Sequence, residues 1–284
     1  MIQSWSISEG ARKSWDRRVP YYLRVRDHFA SLIETGTLAP QSKLPPERVV
    51  GHAFGITRMT IRQALFQLEA EGLIYRLNRR GWFVSPPRLR YDPTANLSFT
   101  ENALTQGRAP STTVLSSESI LASDWDREHL GIAAGEPVFL IRRVRSIDGR
   151  AVLVEHLHLD AKRCPGLLDE PLDRSMTEIL AVRYGISVRR RRIHMRPTAL
   201  IQAHAQTLDV AAGTPSLYVT RATYDQFGNV VEFDQEFWRH DVLDIMVDVH
   251  TDDGHTDDGH TDDGHTDDGH TDDGGAGTAT EWRT

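Results

Sequence analysis

Apolar positions in the first third of the chain fall at helical spacing. After Pro20, Tyr22, Val25, Phe29, Leu32 and Ile33 share one face, which predicts a helix that Gly36 stops. Leu38-Ala39-Pro40 opens a loop, and a second short helix is expected over residues 47–54, after Pro45-Pro46. Gly55-Ile56-Thr57 makes a tight turn in which Thr57 is placed to cap a third helix, residues 58–71. Ile61, Ala64, Leu65 and Leu68 form its inner face, and Gly72 ends it. Residues 73–77 and 82–85 read as strands joined by Asn78-Arg79-Arg80-Gly81, a hairpin.

From Ser85-Pro86-Pro87 to Pro93 neither pattern can continue, so a domain boundary is expected there. Beyond it strand-like runs dominate: 112–121, 137–147, 151–159, 188–196, 216–224, 230–239 and 243–249. Helical runs at 123–130, 175–184 and 198–208 interrupt them, and Asp148-Gly149 is a two-residue hairpin turn. The fold class is α+β, a small helical domain with a wing followed by a mostly antiparallel sheet. The expected division is an N-terminal extension (1–18), the first domain (19–86), a linker (87–96), the second domain (97–249) and a tail (250–284). The tail opens with His-Thr-Asp-Asp-Gly written five times; the repeat holds no apolar residue, so it is expected to be disordered, and any metal site on it weak.

Charge changes this picture more than composition does. The net charge of −7 conceals a basic head, with 15 Lys and Arg against 7 Asp and Glu in residues 1–90. Residues 91–249 hold 17 against 22, and residues 250–284 hold 1 against 11. A basic module on an acidic protein points to a polyanion partner. No apolar run suits a membrane span or a secretory signal, and the one cysteine, Cys164, fits a reducing cytoplasm.

Helix, turn, helix and basic hairpin together describe a winged helix-turn-helix, whose second helix enters the major groove of double-stranded DNA by its N-terminal end. That end reads Thr57-Arg58-Met59-Thr60-Ile61-Arg62, with Arg58 and Arg62 one turn apart on one face. Arginine can bond two acceptors of a guanine, while threonine suits a phosphate or a thymine methyl. Arg48 on the supporting helix and Arg79, Arg80 and Gly81 at the hairpin tip complete the expected DNA-contacting set. The alternative is a solvated arginine face without a ligand. The stretches Leu44-Pro45-Pro46-Glu47-Arg48, Gly55 to Leu65 and Leu68 to Ile74 resemble the GntR family of regulators, Pro46 replacing the family's small residue. That resemblance implies DNA contact by Arg48, Arg58, Thr60 and Arg62, with the wing at Arg79 to Gly81.

The second domain resembles the UTRA ligand-binding domain of the HutC branch, similar in fold to chorismate lyase. The resemblance is carried by Ile141 to Arg145, Asp148-Gly149, Val154-Glu155-His156, Tyr224-Asp225 and Glu232-Phe233-Asp234. It implies an effector pocket at Arg143, Arg145 and Glu155, with Thr100, Ser175, Glu232 and Trp238 as further positions. Alternation independently puts Arg143 and Arg145 on one strand face, where guanidiniums suit phosphate or carboxylate oxygens. The competing reading is a cross-strand salt bridge to Glu155 on a solvated face. Arg79 to Val84, Asp92-Pro93-Thr94, Glu236 to Asp241 and Val247 to His250 are similar to regulators of 2-aminoethylphosphonate uptake and breakdown. Glu155, across the hairpin, is placed either to balance the two guanidiniums or to receive an amine of the ligand; the similarity implies a phosphonate held by Arg143 and Arg145, with its ammonium at Glu155.

His156, His158, His194 and His204 lack partners at zinc-site spacing and are expected in the core or at an edge; no metal or cofactor is expected. Arg189 to Arg192 reads as a solvated or interface strand. The expected protein is a homodimeric repressor on a palindromic operator, released by a small anionic effector. The alternatives are a ligand-blind DNA-binding protein and a lyase-like enzyme, and no nucleophile–base pair favours the latter.

Overall fold

The computed structural model describes residues 18–77, 80–95 and 97–249. The N-terminal extension up to residue 17, the hairpin residues Asn78 and Arg79, and the repeat tail lie outside the described residues.

The head is built from α1 (Tyr21–Glu34), α2 (Glu47–Phe54), α3 (Arg58–Ala70) and the hairpin β1 (Ile74–Leu77) and β2 (Gly81–Val84). Val25 and Phe29 of α1 are fully buried against Ile61, Ala64, Leu65 and Leu68 of α3, as the helical spacing requires. Gly55 turns the chain between α2 and α3 with φ +65°, and the Thr57 hydroxyl accepts from the Thr60 amide at 3.3 Å. The hairpin pairs Ile74 with Val84 and Leu77 with Gly81. A third short pairing, absent from the sequence reading, comes from the expected loop: Lys43 bridges Phe83, and the Leu44 amide donates to the Trp82 carbonyl at 2.8 Å.

The second domain is a six-stranded antiparallel sheet in the order β4-β5-β6-β9-β8-β7. Its strands are β4 (Pro110–Leu121), β5 (Pro137–Ile147), β6 (Arg150–Asp160), β7 (Arg190–Ala199), β8 (Pro215–Tyr224) and β9 (Val230–Arg239). Asp148 and Gly149, both at positive φ (51° and 75°), make the β5–β6 turn. On one face, α5 (Asp124–Leu130) packs on Val138 and Phe233, and α7 (Gln202–Thr207) on Val154 and Phe237. On the other, residues 164–186, including α6 (Met176–Tyr184), cover Ile141, Leu157 and Leu159.

Three expectations need correction. The stretch expected as linker contains a strand, β3 (Leu89–Tyr91), paired in parallel with β10 (Leu243–Ile245), and helix α4 (Phe99–Thr105) follows it. The run 198–208 opens as the end of β7, since Thr198 and Ala199 pair with Ser216 and Pro215, so only Gln202–Thr207 is helical. The last strand stops at Ile245 instead of reaching residue 249. Head and sheet domain pack together in one compact unit ending at Val247.

Candidate DNA-reading surface and effector site

The reading end of α3 stands clear of its scaffold. Ile61 and Leu65 point inward, fully buried, whereas the Arg58 side chain is 70% exposed and that of Arg62 is 38% exposed. Thr57 is exposed and occupied as the helix cap, and Thr60 is half-buried against it, hydroxyl to hydroxyl at 2.9 Å. Between this helix and the wing lies a recess of about 420 Å³, lined by Lys43, Arg48, Arg58, Arg76, Arg80 and Gly81 among others. Five of these six carry positive charge. Arg48, Arg58, Arg80 and Gly81 are thus brought together as expected, and Lys43 and Arg76 join them. Arg76 was hidden in a strand read only for its apolar pattern.

Glu47, also unforeseen as a site residue, holds this end in register. Its carboxylate accepts from Arg58 Nε at 2.8 Å and lies 3.8 Å from Arg62 Nε. Burial pushes the Glu47 carboxyl up, but hydrogen bonds from Arg58 and Trp82 and the charges of Arg62 and Arg58 outweigh it, so it sits below the ordinary glutamate range. The carboxylate therefore stays charged and ties α2, α3 and the wing together.

On the sheet, Arg143 of β5 stands directly across from Glu155 of β6. Arg143 is fully buried; its Nε donates to Glu155 Oε1, and its Nη1 donates to the carbonyls of Leu172 at 2.9 Å and Arg174 at 3.0 Å. Arg145 Nε is 2.8 Å from the same Glu155 oxygen, an ion pair without hydrogen-bond geometry. Burial raises the Glu155 carboxyl, yet the two guanidiniums overcome it and hold the group ionised. One correction follows: the face expected to be solvated in the salt-bridge alternative is buried, because residues 164–186 cover it. Of the two roles open to Glu155, the structure shows it balancing the two arginines.

The other expected positions divide. Ser175 caps α6, its Oγ accepting from the Glu178 amide at 3.4 Å, directly after the Arg174 carbonyl that Arg143 engages. Trp238 is buried, and its indole donates to Glu236 at 2.7 Å. Thr100 lies half-buried in the first turn of α4; its neighbour Phe99 makes the contacts, under Arg145 at 5.0 Å and against Trp238 at 6.0 Å. Glu232 is buried on β9 and shares a face with Asp234 and Glu236, two residues the sequence reading did not select. Arg221 of β8 was missed as well; it reaches Glu236 at 2.9 Å, Asp234 at 3.7 Å and the Tyr91 hydroxyl of β3 at 3.2 Å. The strict alternation Glu232-Asp234-Glu236 was the available signal.

The turn after β9 meets the far end of α3. His240 sits with Nε2 2.6 Å from the Glu69 carbonyl and Nδ1 3.0 Å from that of Pro215. Asp241, fully buried, pairs with Arg150 and Arg239, and both guanidiniums lie over the Tyr75 ring, at 4.1 and 5.2 Å.

A winged head with an exposed basic reading end, docked on a sheet with a buried field of charges, defines the class of two-domain transcription regulators. Residues 21–84 match the family described as bacterial regulatory proteins, gntR family, and residues 105–244 match the UTRA domain. The HTH-type transcriptional regulator YihL of Escherichia coli (strain K12) is 30% identical over 252 residues, 88% of this chain and 100% of that protein. The transcriptional repressor NagR of Bacillus subtilis (strain 168) is 30% identical over 223 residues, 78% of this chain and 92% of that protein. The crystal structure of PhnF from Mycobacterium smegmatis superposes with a TM-score of 0.57 at 26% identity, covering 79% of this chain and 98% of that one. The chain belongs to the gntR family of bacterial regulators, in the group that carries a UTRA domain. It is a transcription regulator, and no helix among the described residues is long and apolar enough to cross a membrane.

Proposed function

We propose that the protein is a repressor that binds a palindromic operator as a homodimer and leaves it when a small anionic effector, of the phosphonate class, occupies the buried face of the sheet. The cluster of cations around the α3–wing recess carries the DNA half of this reading. Arg58 and Arg62 read base edges in the major groove, Thr57, Thr60 and Arg48 hold the backbone, and the tip at Arg79, Arg80 and Gly81 follows the adjacent groove. The effector half rests on Arg143 and Arg145, on the likeness to named repressors, and on the resemblance to aminoethylphosphonate regulators. Ser175, Glu232, Trp238 and Thr100 border that site. Effector favours a conformation whose heads no longer match two half-sites, and the coupling is reciprocal.

The test is selection of DNA fragments by the purified protein, with and without 2-aminoethylphosphonate. A two-fold symmetric sequence released by the compound is the expected result; binding indifferent to it would favour a ligand-blind protein. On the selected sequence, Arg58→Ala should cost about 1–3 kcal/mol and relax base choice, whereas Arg80→Ala should weaken all DNA alike. Equal loss on selected and random DNA for both variants would contradict this division.

A further inference from the structure

Buried polar groups are normally all partnered, so the sheet face can be read by asking which of its groups are not. Glu155 is satisfied by Arg143 and Arg145. Glu236 is satisfied by Arg221 and by the Trp238 indole. Asp234 is not: it is 4% exposed, and among the described residues its Oδ1 has no hydrogen-bond partner and its one ion contact, to Arg221, is long at 3.7 Å. Glu232, equally buried two residues away on the same face, makes no hydrogen bond or ion pair among the described residues. The complementary defect lies on β5. Arg143 uses Nε and Nη1, but its Nη2 is buried with no hydrogen-bond partner among the described residues. One buried face therefore holds a guanidinium donor and a carboxyl acceptor that no described residue engages, and the two do not meet.

Resting on the reading of this face as the effector site, we propose that Asp234, with Glu232 beside it, is the seat of a ligand ammonium, while Arg143 Nη2 takes a ligand oxyanion, so that the effector is a small zwitterion. Register aligns Arg143, through Glu155, with Glu236, and Asp234 stands two residues further along β9, so the Arg143 and Asp234 backbones lie roughly 12 Å apart on the diagonal. Both side chains rise to one face, a span that they and a small molecule fill together. At the β7 edge of the sheet a recess of about 490 Å³ lies between Pro93, Thr94 and Ala95 on one side and Arg189, Arg190 and Arg191 on the other. Arg191 lines that recess and also reaches the Thr177 hydroxyl at 3.4 Å, near the Ser175 cap.

Electrostatics gives the site a signature. Burial, then the charges of Glu232, Glu155 and Glu236, drive the Asp234 carboxyl well above the usual range, and Arg221 opposes them only in part. Without ligand these surroundings favour the protonated carboxyl. An arriving ammonium favours the carboxylate, and the displaced proton leaves to the buffer. Burial raises the Glu232 carboxyl as well, and the charges of Arg143, Arg221 and Arg191 temper that rise.

The experiment is calorimetric titration of the full-length chain in two buffers of different ionisation enthalpy. The probes are 2-aminoethylphosphonate and O-phosphoethanolamine, against their amine-free counterparts ethylphosphonate and ethyl phosphate. The amine-bearing probes should bind at least about tenfold tighter, with release of up to about one proton that the amine-free probes do not show. In Asp234→Asn the preference and the release should vanish, while the weak affinity for ethylphosphonate persists. Glu232→Gln serves as a second variant should Asp234→Asn fail to fold, and should reduce the preference in part. Equal binding of all four probes, tighter binding of the amine-free pair, or a preference that survives in both variants would overturn the zwitterion and leave an anionic effector standing. Failure of all four to bind overturns both readings.

Discussion

At the scale of single residues, Glu47 shows how a negative charge can serve a surface built for a polyanion. Its carboxylate repels phosphate, yet it restrains Arg58 and Arg62, whose long side chains would otherwise sample many rotamers. Glu47→Gln removes one repulsion and loosens both arginines. Affinity for random DNA should rise, and discrimination in favour of the selected operator should fall by about three- to tenfold. Fluorescence anisotropy on both DNAs measures the ratio, and an unchanged ratio would reduce Glu47 to a simple charge. His156 makes a different kind of contribution. Half-buried beside His204 and Phe237, it has its pKa pushed down to about 4, first by desolvation and then by the charges of His204 and Arg142. The unfolded chain takes up that proton near pH 6.5 and the folded one only near 4. Acid therefore favours unfolding: stability is intact above the higher value and declines as pH falls between the two, by roughly 2 kcal/mol at most after solvent screening. His156→Phe should flatten this stretch of the melting profile.

At the scale of elements, periodicity carried far. The spans of α2, β5 and β9 match their apolar patterns residue for residue, because each has one face committed to a core. What sequence pattern left illegible is which face is dry. Alternation places Arg143 with Arg145, and Glu232 with Asp234 and Glu236, on common sides of their strands, but it does not say that a distant segment, 164–186, will roof that side. The three-residue strand β3 escaped because its partner lies about 150 positions away, beyond any local signal. Glycine was more informative than its role as a helix stop suggested. Gly72 has φ +73°, and an added Cβ would lie 3.3 Å from the Asp241 backbone and 2.6 Å from Arg88 Nη2. Gly72→Ala should therefore strain both the turn and the contact behind it, lowering stability by about 1–3 kcal/mol. A thermal shift of a few degrees would register it, and an unchanged melting temperature would show that the turn relaxes.

At the scale of the whole molecule, the candidate sites are joined by few steps. β9 carries the acidic row on its side chains, and the residues that follow it, His240 and Asp241, engage the Glu69 carbonyl and the surroundings of Tyr75 in the head. Arg221 adds a second connection, from the same acidic row to Tyr91 of β3. A shift of β9 would be felt at both places together.

Continuing the chain, β10 grips β3 immediately beyond that turn. The DNA-binding half is thus not delimited by any single cut in the polypeptide: its rear wall is supplied by residues 239–245, encoded some 150 codons downstream of the hairpin. A hybrid regulator assembled by exchanging only the first 86 positions would seat a foreign helix end on His240 and Asp241. Grafting that distal heptad along with the head restores the native fit, and designers who splice at the apparent joint alone should expect hybrids that still hold DNA but no longer answer to the metabolite.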